Sequence, residues 1–587
     1  MRQAPAAAGP EPQAGPGSRT EEGPTQSLAV VSDVNLANLG SLLRRAGDHG
    51  RSVHPRLLPF GEVIRPLLTE KPEAEGEGLF LWFRPESVLS EFHSLLQGRP
   101  LDSAKLDREL DDFLGLLEQA AGRFAFTLMA SWTRPAWHRG LGMLDMDPVQ
   151  GAAGTLLRLN LRLAERLRLV PGAFLLDAAP WLAAGDPSEA ARMWYLAKTP
   201  FSRGTLSAAA QDVRAAIGGI RGASRKVVVV DLDDTLWGGI LGDAGVQGLR
   251  LGGHDPIGEA YVDFQRSLKE LTNRGVILAV VSKNDESTAL EAMRSHPEMV
   301  IRPDDLAGWR INWRDKARNV AELAEELNLG LDSFVFIDDN PSERGRVREA
   351  LPEVLVPEWP DDPLRFAATL HSLRDFDQPS LSLEDRNRAQ MYVAERRRKT
   401  AKASVGSMDN WLQSLDIRIT VEALSPSNLP RAAQLLNKTN QMNLTTRRLS
   451  EAELEAWASQ PDHNLWTFRV ADRFGDYGLT GILSVVRGEG TEETPGKVRL
   501  LDFILSCRVF GRQVEETMVH LAAAAARAAG ARHLVAELVP TEKNKPCRTF
   551  FQERSGFTAL SDTTFELDLS NPVDPPDWVT LVVESAE

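Results

Sequence analysis

The chain has little cysteine, no long apolar run and a deficit of positive charge. Only 2 of its 587 residues are cysteine, which excludes a disulfide framework and is typical of a reducing compartment. No apolar run approaches the roughly 20 residues that a membrane-spanning helix needs. The 82 acidic residues outnumber the 67 basic ones, and the net charge of −15 argues against duplex nucleic acid as a partner. We therefore expect a cytoplasmic protein.

The composition, 42% hydrophobic and 25% charged, is typical of a globular protein, and a length of 587 residues predicts several domains. Strand and helix patterns alternate along most of the chain, which predicts the α/β class. The patterns divide the sequence into a disordered tail (1–27), an N-terminal α/β domain (28–222), a parallel-sheet domain (225–375), a charged and exposed helical linker (376–409), a second α/β domain (410–570) and a C-terminal tail (571–587).

The central region has the clearest alternation. Apolar runs predict strands at 227–231, 276–281 and 333–338, and helical periodicity fills the segments between and after them. This order is typical of a doubly wound parallel sheet, whose sites lie at the carboxyl ends of the strands.

The first of these strands, Val227–Val230, leads directly into two carboxylates, Asp231 and Asp233. Their i, i+2 spacing keeps both at the carboxyl edge of the predicted sheet. A carboxylate at such an edge can attack phosphorus covalently, and a second one can donate and accept protons. Acids that merely cap a strand end are the alternative.

The later strands also end in polar residues. Ser282 follows the second strand, where a hydroxyl beside a helix N-terminus can bind a phosphate oxygen or can simply cap the helix. Lys316 lies between the second and third strands. Asp338 and Asp339 follow the third, and two adjacent acids beside another acidic pair repel each other unless a hard cation such as Mg²⁺ lies between them.

Taken together, these positions resemble the motifs of the haloacid dehalogenase-like (HAD) phosphotransferases. The resemblance implies that Asp231 is the nucleophile, that it forms an aspartyl-phosphate, and that Asp233 is the acid and base. The implied magnesium ligands are Asp231, Asp233, Asp338 and Asp339. The implied substrate-binding residues are Thr235, Ser282, Lys283, Asn284 and Lys316.

Longer motifs resemble the FkbH-like branch of this superfamily, over about 225–560. They are Leu236-Trp237-Gly238-Gly239, the run from Phe336 to Arg344, the run from Gln434 to Arg448, and Leu505 to Arg512. This branch implies transfer of the glyceryl group of 1,3-bisphosphoglycerate, with loss of phosphate, to an acyl carrier protein in polyketide or related biosynthesis. A magnesium phosphatase without acyl transfer, and a scaffold that docks carriers without turnover, remain alternatives.

The C-terminal domain resembles the GNAT acyltransferases. The stretch from Arg508 to Gln513 is similar to their pyrophosphate-binding turn, but Gln513 replaces a small residue and would crowd the backbone. We therefore expect the phosphopantetheine of a carrier here rather than acetyl-CoA, with Arg508, Gly511 and Arg512 as contacts. Cys507 is the candidate acyl-carrying thiol, because both arginines could lower its pKa; a small packing residue is the alternative. Cys547 is expected to pack.

The N-terminal domain resembles the SGNH hydrolases without their usual catalytic residues. An active member would carry a Gly-Asp-Ser block and a late Asp-x-x-His. Here Ser32-Asp33 follows the first strand, and no suitable histidine follows Asp177. We expect a non-catalytic domain that docks a partner or covers the substrate.

Overall fold

The computed structural model describes residues 26–45, 53–135, 137–381, 383–403, 408–439, 441–487, 497–541 and 544–584. They form two compact units. One contains the described residues up to Ser224 and also Ser372–Ser380, and the other contains Arg225–His371 and the chain from Leu381 onward. The predicted tail 1–27 lies outside the described residues except for its last two positions.

The first unit is a five-stranded parallel sheet in the order β2-β1-β3-β4-β5. Alternate residues of β1 enter different cores on the two faces, Leu28 and Val30 on one and Ala29 and Val31 on the other. The sequence analysis missed β2 and β5, since β2 contains a proline and two charged or polar residues and β5 has four residues. The elements are β1 (Gln26–Val31), α1 (Ala37–Arg44), β2 (Val53–Leu57), α2 (Ile64–Thr69), β3 (Gly78–Leu81), α3 (Ser90–Leu96), α4 (Ser103–Ala121), β4 (Thr127–Ala130), α5 (Ala152–Leu167), β5 (Ala173–Leu176), α6 (Ala179–Ala183), α7 (Pro187–Ala197) and α8 (Arg203–Ile220).

The second unit begins with a four-stranded parallel sheet in the order β8-β7-β6-β9. The two central strands that carry the acids, β6 and β9, are short and fully apolar, as buried parallel strands are, whereas β7 ends in Ser282 and β8 includes Arg310. An aspartate or asparagine side chain caps the N-terminus of α10, α11, α12 and α13, which fixes where these helices begin. The elements are β6 (Val227–Val230), α9 (Leu241–Gly248), α10 (Pro256–Asn273), β7 (Ile277–Ser282), α11 (Glu286–Ser295), β8 (Gly308–Ile311), α12 (Lys316–Leu327), β9 (Phe334–Ile337), α13 (Pro341–Ala350) and α14 (Phe366–Ser372).

A long helix follows, and it is not the exposed linker that the sequence analysis predicts. In α15, Arg398 is only 3% exposed and pairs with Asp472 at 2.6 Å. Glu395 of the same helix pairs with Arg512 at 3.0 Å, and the Arg396 guanidinium stacks 4.4 Å from the Trp309 ring. The basic run is therefore largely engaged within this unit. The two helices of this segment are α15 (Leu383–Ala403) and α16 (Met408–Ser414).

The remainder of the second unit is a mixed sheet in the order β16-β17-β15-β14-β13-β12-β10-β18, with β11 paired to β14. Strand β18 pairs in parallel with β10, which corrects the prediction of a C-terminal tail over 571–587. The elements are β10 (Ile417–Ala423), α17 (Leu429–Lys438), β11 (Met442–Asn443), α18 (Glu451–Ala458), β12 (His463–Asp472), β13 (Gly475–Arg487), β14 (Val498–Leu505), α19 (Val514–Ala528), β15 (His533–Glu537), α20 (Lys545–Glu553), β16 (Thr558–Ala559), β17 (Thr564–Asp568) and β18 (Val579–Val583).

The whole chain is an α/β protein with two parallel sheets and one mixed sheet, so the predicted fold class is confirmed. Within the described residues, every helix is too short or too polar to cross a membrane.

Candidate active site

The neighbouring strands β6 and β9 bring two acidic loops together. Val230 pairs with Ile337 in the sheet, and the backbone N–H of Asp231 donates to the carbonyl of Ile337 at 3.0 Å. The residues that follow each strand therefore start side by side at the carboxyl edge, as the parallel pattern predicts.

Three carboxylates meet at this edge. One ligand oxygen from each of Asp231, Asp338 and Asp339 lies within 4.8 Å of the others. Asp338 is fully buried and Asp231 nearly so, and Oδ1 of Asp231 has no hydrogen-bond partner among the described residues. Buried carboxylates that crowd together repel each other, and hard oxygen ligands are those that Mg²⁺ prefers. The residues present fit a magnesium ion.

Lys316, the first residue of α12, supplies one compensating charge. Its Nζ lies 3.0 Å from Oδ2 of Asp231 and 2.6 Å from Oδ2 of Asp338, and its side chain is only 4% exposed. Burial lowers the pKa of Lys316, but the two carboxylates outweigh burial and raise it overall. One ammonium against three carboxylates leaves an excess of negative charge that a divalent cation would balance.

Burial and the neighbouring negative charges also raise the pKa values of Asp338 and Asp339. Burial and the charge of Asp231 raise the pKa of Asp338, although Lys316 opposes the shift. Burial also raises the pKa of Asp339, and a hydrogen bond from Thr235 opposes it. Both carboxylates are thus destabilised in their charged form unless a cation binds.

Thr235 and Arg344 position the second acidic loop. The Thr235 hydroxyl donates to Oδ1 of Asp339 and accepts from the Asp339 backbone N–H, each at 3.0 Å. The buried Nη1 of Arg344 donates to the backbone carbonyls of Asp338 at 2.8 Å and Asp339 at 2.6 Å. The sequence analysis did not assign Arg344, because an arginine in a helix is normally interpreted as solvated.

Asp233 departs from its predicted place among the magnesium ligands. Its Oδ1 accepts from the Trp237 indole N–H at 2.9 Å and the Leu241 backbone at 3.1 Å, and its Oδ2 accepts from Asn284 at 3.0 Å. Its carboxylate is not part of the group of three, because these donors hold it elsewhere. Burial, and then the charges of Asp231 and Asp234, raise its pKa, which suits a proton donor. Its catalytic role stays a prediction.

The predicted substrate-binding residues after β7 have distinct surroundings. Ser282 is buried at the strand end, and its carbonyl accepts from the Asn312 backbone at 3.0 Å. Asn284 is buried and orients Asp233. Lys283 is partly exposed and pairs with Glu343 at 2.6 Å. Ser282 and Asn284 thus lie inside the site and Lys283 at its rim.

The predicted carrier contacts after β14 are already engaged within the chain. Arg512 is buried against Glu395 and Tyr477. The Gly511 N–H donates to Glu515 at 2.9 Å, and Arg508 donates to the Ser506 hydroxyl at 3.3 Å and the Met391 sulfur at 2.8 Å. These internal contacts oppose a direct role for Gly511 and Arg512 in binding a carrier.

Of the two cysteine side chains, only that of Cys547 lies within the described residues. The side chain of Cys507 lies outside the described residues, so its role stays a prediction. Cys547 is fully buried, and burial raises the pKa of its thiol to about 12. This fits the expected packing role of Cys547.

In the N-terminal unit, Ser32 and Asp33 have structural partners. The Ser32 hydroxyl donates to the Trp82 carbonyl at 2.5 Å, and Asp33 pairs with Arg84 at 2.7 Å. The Asp177 carboxylate accepts from the Ala179 backbone N–H at 3.0 Å, just before α6. No hydrogen bond joins these residues to a histidine in the part of the chain that the structure describes.

No family model and no curated relative matches this chain. Among solved structures, the N-terminal part of the protein BF1531 from Bacteroides fragilis, containing a phosphatase domain complexed with Mg, is 27% identical with a TM-score of 0.53. The match covers 61% of this chain and 95% of that one.

Shorter structures align with 26% of this chain and 99% of their own. They include a putative GNAT-family acetyltransferase from Desulfovibrio desulfuricans, 16% identical with a TM-score of 0.20, and an N-acetyltransferase from Staphylococcus aureus, 13% identical with a TM-score of 0.21. The N-terminal 61% of the chain, which contains the three carboxylates, thus resembles a structure that contains a magnesium-bound phosphatase domain.

Proposed function

We propose that the protein transfers a glyceryl unit from 1,3-bisphosphoglycerate to an acyl carrier protein and removes phosphate in a Mg²⁺-dependent step. Polyketide or a related natural-product biosynthesis is the setting that the sequence resemblance suggests. The phosphoryl-transfer part of this proposal rests on the surroundings of the Asp231 carboxylate. Lys316 pairs with its Oδ2, while its Oδ1 is buried near Asp338 and Asp339 with no hydrogen-bond partner among the described residues.

The residues of the site support a two-stage removal of a phosphate ester. Asp231 attacks phosphorus, the bond to the substrate oxygen breaks, and Asp233 protonates that oxygen as it leaves. Water then attacks phosphorus, Asp233 takes its proton, and Asp231 is released as a carboxylate. Lys316 keeps Asp231 ionised and oriented. Mg²⁺, held by Asp231, Asp338 and Asp339, would neutralise the oxygens of the transferring phosphoryl group.

The acyl part of the reaction uses the other phosphate of the substrate. A thiolate, proposed to be that of Cys507, attacks the acyl carbon, and the phosphate attached there leaves. The carrier thiol then attacks the enzyme thioester, and Cys507 leaves as its thiolate. Each glyceryl thioester formed thus consumes one water molecule and releases two phosphates.

The experiment compares the native protein with Asp231→Asn, using Mg²⁺, 1,3-bisphosphoglycerate and holo-carrier. We expect the native protein to release phosphate and add a glyceryl mass to the carrier. The variant should lose phosphate-ester cleavage, since an amide is a poor nucleophile and a weaker magnesium ligand, while its circular dichroism spectrum stays native. Equal turnover by the variant would contradict the role of Asp231.

A second candidate is a magnesium phosphatase without acyl transfer. The internal engagement of Gly511 and Arg512 favours it, since these groups are not available to a pantetheine in this conformation. Phosphate release at the same rate with and without carrier, and no mass added to the carrier, would support this candidate. Carrier binding with no phosphate release at all would instead support a scaffold.

A further inference from the structure

The N-terminal unit contains a cavity of about 860 Å³ at the carboxyl ends of β4 and β5. Ser131 and Asp177, which follow these two strands, lie in its wall. Its volume falls in the usual range for sites of small organic ligands, and no part of the proposed reaction described above uses it.

The walls are mainly apolar, with a few polar groups. Leu156, Leu175 and Leu182 line it, together with Thr133, His138 and Asn160. The Asn160 side chain accepts from the Trp132 backbone N–H and donates to the Trp132 carbonyl, both at 2.8 Å, so it holds the loop in place. Nδ1 of His138 is buried without a hydrogen-bond partner among the described residues. The guanidinium of Arg134, which also lines the cavity, is paired with Asp145. Such a lining suits a slender ligand with an apolar chain and amide groups.

Exposed apolar side chains accompany the cavity lining. Met146 and Leu157 belong both to the lining and to the exposed large apolar side chains, and Met143, three residues before Met146 in the chain, is 99% exposed. We call the two lining residues and the exposed apolar side chains close to Met146 in the chain the rim: Leu141, Met143, Leu144, Met146, Val149 and Leu157. A cluster of exposed apolar side chains in one short stretch marks an interaction surface, and methionines adapt to varied partners.

An exposed positive charge follows a residue of the cavity lining in the chain. Arg139 comes directly after His138, is exposed and forms no ion pair with any described residue, in a chain whose net charge is −15. An unpaired guanidinium on the residue next to the lining complements a single phosphate that remains outside while an uncharged chain enters.

We infer that this cavity and its rim are the docking site of a phosphopantetheinylated carrier protein. In the docked state the pantetheine chain enters the cavity, its phosphate pairs with Arg139, and an apolar face of the carrier covers Met143 and Leu144; the chain leaves the cavity before its thiol attacks the Cys507 thioester. The identity of the partner rests on the proposed function. A small free metabolite would fill the cavity without covering the rim. A protein partner that lacks a pantetheine chain would cover the rim without filling the cavity.

Binding of holo-carrier and apo-carrier to the full-length protein tests this inference. Leu157→Lys puts a charge on the cavity lining and Met143→Glu puts one on the rim; both residues are exposed, so folding should persist. We expect each variant to bind holo-carrier at least tenfold more weakly. Leu560→Lys is the matched control, since Leu560 is 58% exposed and Leu157 is 59% exposed, and it should bind as the native protein does. Apo-carrier should bind more weakly than holo-carrier to the native protein.

Equal affinity of all variants for holo-carrier would overturn the docking site. A rim that instead joins two copies of this chain would overturn it too, and would appear as a native dimer that Met143→Glu makes monomeric. Glyceryl loading separates the two proposals. Loading that survives Leu157→Lys at low carrier concentration supports the function and overturns the site. Carrier binding that depends on Leu157, with no loading by the native protein, supports the site and overturns the function.

Discussion

At the scale of single residues, the geometry of the carboxylate site depends on the buried guanidinium of Arg344. It holds the carbonyls of Asp338 and Asp339, and it thereby sets the direction of both side chains. A lysine has one nitrogen at the end of a flexible chain and cannot reproduce the planar guanidinium. The residue thus acts on the metal site without being a ligand.

We predict that Arg344→Lys weakens Mg²⁺ binding by about tenfold, the usual effect of a group that orients metal ligands. Isothermal titration with Mg²⁺ measures it. Arg346→Lys is the control, because Arg346 is exposed and pairs only with Asp315 in the described structure. Unchanged Mg²⁺ affinity in the Arg344 variant would show that the loop holds its shape without this group.

Cys507 is the residue whose predicted role depends on sequence alone. We predict that Cys507→Ser keeps phosphate-ester cleavage at Asp231 but blocks delivery of glyceryl to the carrier, since an oxyester is a poorer acyl donor than a thioester. Intact-mass analysis without carrier should show an adduct on the native protein that the variant lacks. Normal loading by the variant would indicate direct attack by the carrier thiol on the acyl phosphate.

At the scale of secondary structure, α15 connects the parallel sheet of the second unit to its mixed sheet. Arg396 stacks on Trp309, which belongs to β8, while Arg398 pairs with Asp472 at the end of β12. The Asp472 carboxylate also accepts from the Tyr477 hydroxyl at 3.0 Å. Removing Arg398 would leave the buried Asp472 carboxylate with Arg512, at 3.8 Å, as its remaining cationic partner among the described residues, which is a weaker pairing for a buried charge.

We predict that Arg398→Met destabilises the second unit by about 3 kcal/mol because Asp472 loses the closer of its two ion pairs and keeps only Arg512, 3.8 Å away. Arg397→Met in the same helix should cost less than about 1 kcal/mol, since Arg397 is partly exposed and its pair with Asp304 is at the surface. Urea unfolding of both variants measures the difference. Equal midpoints would contradict the importance of this pair.

At the scale of the whole molecule, the excess negative charge of the carboxylate group should couple metal binding to stability. Metal that binds only the folded protein stabilises it by about 2.7 kcal/mol at a concentration of 100 times Kd. Without metal, the repulsion among Asp231, Asp338 and Asp339 opposes folding, and Lys316 offsets only part of it.

We therefore predict that Mg²⁺ raises the Tm of the native protein and that chelation by EDTA abolishes phosphate release. Asp338→Ala should lose most of the Mg²⁺-dependent shift in Tm, because a ligand is gone, and should not melt earlier than the native protein in EDTA, because repulsion is relieved. A thermal-shift titration measures both. An undiminished Mg²⁺ shift in Asp338→Ala would contradict the assignment of this ligand.

The sequence by itself determined the α/β class, the central strands and the acids that follow them. Short runs such as Val227–Val230 are too apolar for anything but a buried strand, and a residue directly after a parallel strand must lie at the carboxyl edge. These are local constraints, and they bring Asp231 and Asp338 to one edge without knowledge of tertiary contacts, whereas only the family resemblance assigns Lys316 to the site. The edge strand β8 and the strands β2, β5, β11, β16, β17 and β18 were not predicted, because each is short or polar and forms through its pairing with a distant partner.

Tertiary structure alone decided how the side chains are used. Asp231 and Asp233 are two residues apart, yet Asp231 joins the buried group of three while Trp237 and Asn284 hold Asp233 away from it. The sequence pattern predicts that the basic run of α15 is solvated, but Arg398 pairs with Asp472, 74 residues further along, and Arg397 pairs with Asp304, which lies earlier in the chain. Charge and hydrogen bonding act over a few ångströms, and the chain distance between partners carries no information about which groups will meet at that range.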